Sequence, residues 1–246
     1  PNSGHRMSRV YTNTMHTFYH LLNRGVDKRD VFLNDKDYLR FIHNLFVFND
    51  QNNSDSNNFY FQQTLDIGCP EFSKTRAKRA KRSPRKLLVK IHFFCLMPNH
   101  YHLLVSPLVD DGVPRFMKKL NMGYAKYFNE KNKRSGALFQ GKYKKVLIER
   151  DAHFLWIPYY IHFNPLDLKM PEWRERKIRS PKKALEFLES YRWSSHLDYT
   201  GKKNFPSVTQ RDFFLESFGG EKAYARSIKE YLKEMNMDEI GEITLE

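Results

Sequence analysis

Cysteine is nearly absent from this 246-residue chain: it has two, Cys69 and Cys95. Two thiols cannot build a disulfide framework, and the default setting for such a chain is a reducing cytoplasm. No apolar run reaches membrane-spanning length, and the start of the sequence lacks the basic-then-apolar layout of a secretion signal. No basic amphipathic anchor and no internal repeat stand out. Acidic residues are the scarcer charge, 28 against 42 Lys and Arg, which leaves a formal net charge of +14. A pI near 9.6 follows. This imbalance points to a polyanionic partner, and with no membrane anchor in sight nucleic acid is the leading class. Residues 1–6 read as an expression remnant ahead of Met7.

What is present suits a folded protein. Hydrophobic residues make up 40% and aromatics 15%, enough for one full core, or one core plus a small appended module. Thr17–Asn23 reads as a short strand ending at Arg24-Gly25. Asn34 or Asp35 is placed to cap a helix whose Tyr38, Phe41, Ile42, Leu45 and Phe46 form an apolar stripe. Residues 49–58 are a polar loop. The run from Lys74 to Lys86 carries eight positive charges and no acid, so it predicts an extended segment suited to nucleic-acid contact. Pro114 suits the first turn of a second helix striped by Phe116, Leu120, Tyr124, Tyr127 and Phe128. After Gly136 the chain should turn and run as a strand. A third helix covers roughly Asp151 to Phe163 and should stop at Asn164-Pro165, because a residue before proline avoids the helical region. Further helical segments fall near 181–190 and 221–235.

The most informative segment is His92–Ser106, an apolar run that contains His100 and His102. On a strand, the two-residue side-chain period puts both imidazoles on one face. Two neutral imidazoles on a rigid strand begin a divalent-metal site, since each offers a nitrogen lone pair. An edge strand whose histidines meet solvent would carry the same pair. In the third helix, Tyr160 and Asn164 lie one turn apart on a common face. A tyrosine can act as nucleophile when a metal polarises the electrophile, and Asn164 can lend a neutral oxygen to a hard cation. Two imidazoles, an amide oxygen and open positions suit Mg²⁺ or Mn²⁺. With no thiolate in the motif, a closed structural zinc site is disfavoured.

Short strings spread over residues 17–201 resemble the HUH single-tyrosine transposases, and within them the REP-associated tyrosine transposase-like proteins. They are Tyr19-His-Leu-Leu-Asn-Arg-Gly25 with Asp30-Val-Phe-Leu, Met97-Pro-Asn-His-Tyr-His-Leu-Leu104, and Tyr127-Phe-Asn129. Gly136-Ala-Leu-Phe-Gln-Gly-Lys-Tyr-Lys144, Tyr160-Ile-His-Phe-Asn-Pro165 and Tyr191-Arg-Trp-Ser-Ser195 follow in order. The resemblance implies an α+β ferredoxin-like HUH fold: a central antiparallel sheet of about five strands, helices mainly on one face, the histidines on a central strand and the tyrosine helix beside it. It implies His100, His102 and Asn164 as ligands of Mg²⁺ or Mn²⁺. Tyr160 would be the nucleophile that opens single-stranded DNA through a 5′-phosphotyrosine link and a free 3′-hydroxyl. The partner would be hairpin-forming single-stranded DNA, the protein a monomer or homodimer, and the setting the bacterial nucleoid. The expected organisation is a transposase domain over 7–201, with a polar and basic insertion at 49–90, and a basic helical extension over 202–246.

Each assignment has a competitor. Tyr159 adjoins Tyr160 but is turned about 100° around the helix. Glu149 or Asp151 could ligate metal in place of Asn164, and His162 suits hydrogen bonding or phosphate contact. Pro158 removes an amide donor two residues before Tyr160, so the helix should start there or bend. For DNA contact, Phe139-Gln-Gly-Lys-Tyr-Lys144 mixes aromatics, a glycine and charge. Lys142, Lys144 and Lys145 are the backbone-contact candidates, with Arg24 a weaker one. Tyr124, Tyr127 and Tyr143 suit core or stacking roles, and Trp193–Ser195 a structural one. A catalytically idle binder of nucleic-acid hairpins and a hydrolase using activated water are the competing functions.

Overall fold

The computed structural model of the chain describes residues 17–52 and 85–235. Of the basic run, only Arg85 and Lys86 fall inside them. The polar loop is described as far as residue 52, and the rest of both segments lies outside the described residues.

Four strands form one antiparallel sheet: β1 (Tyr19–Arg24), β2 (Val89–Met97), β3 (His100–Pro107) and β4 (Lys144–Leu147), in the spatial order β2-β3-β1-β4. The expected α+β antiparallel architecture is therefore present, with four strands among the described residues and the histidine strand β3 in the interior of the sheet. β2 and β3 are joined by the two residues Pro98 and Asn99, with Met97 opposite His100. The Pro98 carbonyl accepts from the Val31 and Phe32 amides, and the Asn99 carbonyl from the Gly25 amide at 2.8 Å. The tip of this hairpin is thus tied to the end of β1.

Strand alternation sorts the side chains into two cores. Leu21, Tyr101, Leu103 and Val105 pack with helices α1 (Asp35–Val47) and α2 (Gly112–Lys131) on one face. Phe18, Leu104, Phe93, Cys95 and Met97 pack on the other. β2 keeps both faces apolar through a register shift between Ile91 and Phe93: Val89 and Ile91 share a core with Phe94 and Leu96, a change of parity that one extra residue supplies.

The second face is covered by α3 (Asp151–Phe163) and, behind it, α4 (Pro181–Ser190), the short α5 (His196–Tyr199), α6 (Asp212–Phe218) and α7 (Glu221–Glu234). The helices thus divide between both faces instead of gathering on one. The C-terminal helices do this because each carries its own apolar stripe: Ala184 and Leu188, Phe214 and Phe218, and Tyr224, Ile228 and Leu232. Lying between sheet and helices, α3 is apolar nearly all round, as a sandwiched helix must be. Each side chain so buried contributes roughly 1.5–3 kcal/mol relative to exposure.

Pro158 sits inside α3, which begins seven residues before it at Asp151. The helix therefore does not start at the proline. At its other end Asn164 keeps helical angles (φ −47°, ψ −38°), and the chain tightens into a 3₁₀ turn over Asn164–Leu168 with Pro165 in its first turn. The expected stop is a change of helix type, since proline is tolerated where a new helical turn begins. A second 3₁₀ turn spans Pro171–Glu175. Trp193–Ser195 is structural: the Leu96 amide donates to the Trp193 carbonyl and the Ser195 amide to that of Phe94, along the outer edge of β2. Among the described residues, no helix is long and apolar enough to cross a membrane.

Gly25 follows β1 where two backbone segments converge. A Cβ there would lie 2.3 Å from the Arg29 carbonyl oxygen and 2.9 Å from a Val31 methyl. Backbone cannot yield as a side-chain tip can, so Gly25→Ala should lower the unfolding free energy by about 1–3 kcal/mol, read as a shift of the urea midpoint at constant slope.

Candidate active site

Three strands and one helix meet at a cleft of about 390 Å³ lined by Leu22, Asn23, Arg24, His100, His102, Gln140, Lys142, Lys144 and Tyr160. The sheet register explains most of this list. His102 lies opposite Leu22, and Leu22 opposite Lys144, so these three side chains share a face in one row. Arg24 lies opposite His100 in the next row. The loop before β4 adds Gln140, whose amide donates to the Arg24 carbonyl at 2.8 Å. Lys145 has the opposite parity. It pairs with Leu21, and its ammonium sits 4.5 Å from the Tyr19 ring centroid. The structure therefore brings Arg24, Lys142 and Lys144 to the cleft and leaves Lys145 on the other face.

The two predicted imidazoles adjoin, with ring centroids 4.9 Å apart and ring planes at 83°. His100 Nδ1 is 2.6 Å from Asn99 Oδ1, and the Asn99 amide nitrogen donates to the Lys28 carbonyl. The Asn99 oxygen can only accept, so His100 donates from Nδ1 and keeps its Nε2 lone pair. His102 has a different partner, which sequence reading passed over: His20, two rows along on β1. The rings stack at 5.1 Å with an 8° tilt, and His20 Nε2 is 2.9 Å from His102 Nδ1. His102 Nε2 is buried with no protein partner.

Burial pushes His20 down to about 3 and His100 down to about 4, the latter helped by Arg24. His102 is lowered well below the usual histidine value by burial and by repulsion from His100, His20, Arg174 and Arg24. All three are neutral at pH 7, the state in which imidazole donates to a cation.

α3 supplies the tyrosine. Tyr160 presents its ring at 90° to His102 and at 84° to His20, with centroids 5.6 and 5.9 Å away. It is 6% exposed, and that small opening is to the cleft. Its neighbour Tyr159 turns the other way, stacking on Tyr231 at 4.1 Å and donating to Ser227 Oγ on α7. His162 is fully enclosed between Tyr224 and Ser195, at 2.6 and 2.8 Å. Tyr124 is buried in the α1–α2 core, where its hydroxyl donates to the Val31 carbonyl.

Asn164 is fully buried and does not line the cleft. Its Nδ2 donates to the Tyr160 carbonyl at 2.7 Å, and its Oδ1 accepts from Arg174 at 3.4 Å. Glu149 and Asp151 are not among the lining residues either. Arg174, another residue that sequence reading missed, also donates to the Tyr160 hydroxyl at 3.5 Å. Burial opposes its charge, but hydrogen bonds to Asp167 and Tyr160 raise its pKa above the ordinary value. No local periodicity could have found His20 or Arg174, because each reaches the site from a separate segment.

Among the described residues, no three His, Cys, Asp or Glu side chains are grouped to hold a metal. The buried, unpartnered His102 Nε2 beside the free His100 lone pair nonetheless suits a divalent cation that draws its remaining ligands from neutral oxygens and water. Residues 72–164 match the family model described as Transposase IS200 like. The match spans the histidine strand, the cleft loop and the tyrosine helix, while His20 and Arg174 lie outside it. No curated protein matches the chain.

Because these imidazoles pKa values are lowered, protonating them opposes folding. The unfolded chain takes up protons below about 6.5, while folded His20 and His100 wait until about 3 and 4. The stability these groups confer is present above pH 6.5 and is lost as pH falls through that window. Histidine Cε1–H NMR resonances of His20, His100 and His102 should show no titration step near pH 6.5, and one at that pH would contradict the burial described.

Proposed function

We propose, from the match of residues 72–164 to the IS200-like transposase model, that this chain is a single-tyrosine, HUH transposase-like protein that nicks and rejoins single-stranded DNA with Tyr160 as nucleophile, at palindromic hairpins. The meeting of Tyr160, His100 and His102 at one cation-rimmed cleft supports this. Mg²⁺ or Mn²⁺ held by His100 and His102, with Asn164 the third candidate ligand, would polarise the scissile phosphate. His20 holds His102 with Nε2 facing away from their hydrogen bond, the outer-shell role that a ligating histidine usually needs.

The Tyr160 oxygen attacks phosphorus, and the 3′-oxygen departs and takes a proton. The link formed is a 5′-phosphotyrosine that keeps the bond energy of the phosphodiester. A second 3′-hydroxyl can then reverse the step without ATP. Arg24, Lys142 and Lys144 hold backbone phosphates at the mouth of the cleft. Packing sets the phenol ring edge-on against the stacked pair of neutral imidazoles His20 and His102, so little orientation is left to chance when the phosphate arrives.

One observation favours a second reading, a hairpin-binding protein that does not cleave: the Asn164 carboxamide is taken up by Tyr160 and Arg174. A single denaturing gel separates the two. 3′-labelled hairpin oligonucleotides from the DNA around its gene, incubated with the full chain and Mn²⁺, should yield a denaturation-resistant adduct. Tyr160→Phe should yield none while still binding. Adduct with the phenylalanine variant rejects Tyr160, and binding without adduct in the wild type leaves the non-cleaving reading.

The cationic rim predicts a salt effect. Replacing both Lys142 and Lys144 by Gln should reduce the slope of log affinity against log salt by roughly 0.7 per lysine, with thermal stability unchanged. An unaltered slope in a filter-binding titration would remove these lysines from the interface.

A further inference from the structure

Arg174 belongs to none of the motifs above, yet it joins the tyrosine, the asparagine and an acid in one cluster. Its Nη1 donates to the Tyr160 hydroxyl and its Nη2 to Asn164 Oδ1. On its far side Asp167 accepts from Nε at 3.0 Å and from Nη2 at 2.7 Å, a forked ion pair. Trp173 fixes the acid in turn, its indole N–H donating to Asp167 Oδ1 at 2.6 Å. The guanidinium carbon also lies 5.6 Å from the Tyr160 ring centroid and 5.2 Å from that of Trp173.

The two 3₁₀ turns after α3 account for this convergence. One carries Asp167 and the other carries Trp173 and Arg174, and they pack together beside the end of the tyrosine helix. The forked pair with Asp167 is enough to join the turns. The remaining edge of the guanidinium, Nη1, is directed at the phenol oxygen, which that structural role does not require. A rigid planar cation aimed at an attacking oxygen is how phosphoryl-transfer sites offset developing charge.

We propose that Arg174 is a catalytic residue of the strand-transfer step. Its guanidinium steadies the Tyr160 oxygen and balances the negative charge that gathers on the phosphoryl oxygens during attack. The proposal rests on Tyr160 being the nucleophile. In that step the Oη–phosphorus bond forms and the phosphorus–O3′ bond breaks. The phenol gives up its proton and the leaving 3′-oxygen gains one, so the balance needs no further reactant. A phosphorus bonded to Oη on the side facing Arg174 brings a non-bridging oxygen within reach of Nη1, so one cation serves the nucleophile before attack and the phosphoryl group during it. Asp167 is the positioning residue that holds the fork in place.

The test is the single-turnover rate of adduct formation by the full chain on a 3′-labelled hairpin with Mn²⁺. Arg174→Ala should slow it on the order of 100-fold, the usual loss for one preorganised donor at a developing charge, while hairpin affinity stays at its wild-type value and the chain, though it melts lower for want of the Asp167 pair, is folded at the assay temperature. Millimolar guanidinium ion should restore part of the lost rate, which a merely structural role would not allow. Arg174→Gln keeps a shorter, uncharged polar side chain and should be slow as well, which covers the case of an alanine variant that fails to fold. Wild-type rates in the variants that fold, or no rescue by guanidinium, overturn the role of Arg174. Absence of adduct from the wild-type chain is a distinct result, which rejects Tyr160 as nucleophile and this proposal with it.

Discussion

β1 lies hydrogen-bonded between β3 and β4, and the cleft depends on that placement. Its six residues set which side chains of the neighbouring strands share a face: Leu22 aligns His102 with Lys144, and Arg24 stands across from His100. A slip of one residue in either ladder would send the histidines or the lysine into the opposite core. Such a slip would place imidazoles among Leu21, Leu103 and Phe41, and their burial without partners would oppose it. The ties from the Gly25 amide to Asn99 and from the Val31 and Phe32 amides to Pro98 hold the ladder at the end nearest the site.

The electrostatics of the cleft are layered. Its floor holds two imidazoles kept neutral by burial, His100 and His102, with His20 buried behind His102, and its rim is Arg24, Lys142 and Lys144. Neutral nitrogen donors beneath a cationic mouth suit an anionic substrate that must approach a cation without meeting a competing carboxylate. Behind the tyrosine, Arg174 adds one more positive group, and its Asp167 partner keeps that charge in place. Below the rim, phenol, imidazole and guanidinium converge.

The C-terminal helices set the orientation of the tyrosine helix. Tyr159 belongs to their core, held by Tyr231, Tyr224 and Ser227. His162 is likewise fastened by Tyr224 and Ser195. With these two residues fixed on the outer side, helical geometry leaves Tyr160 on the side of the sheet. The same packing keeps α3 continuous past Pro158, because burial against two layers outweighs one missing hydrogen bond.

Much could be read from the chain before folding. Period two put His100 and His102 on one face, the apolar stripes marked α1 and α2, and a one-residue step separated Tyr160 from Tyr159. These are properties of a single element, where covalent geometry alone sets direction. His20 and Arg174 were not legible, because they reach His102 and Tyr160 from other segments by strand register and the packing of two short turns. The face that Lys145 takes was not legible for the same reason, since it depends on which residue of β1 it pairs with. The amino-acid order determined the chemical groups and their local spacing. Tertiary structure decided which of them meet, because a meeting between distant segments is set by the burial of whole faces and not by any local repeat.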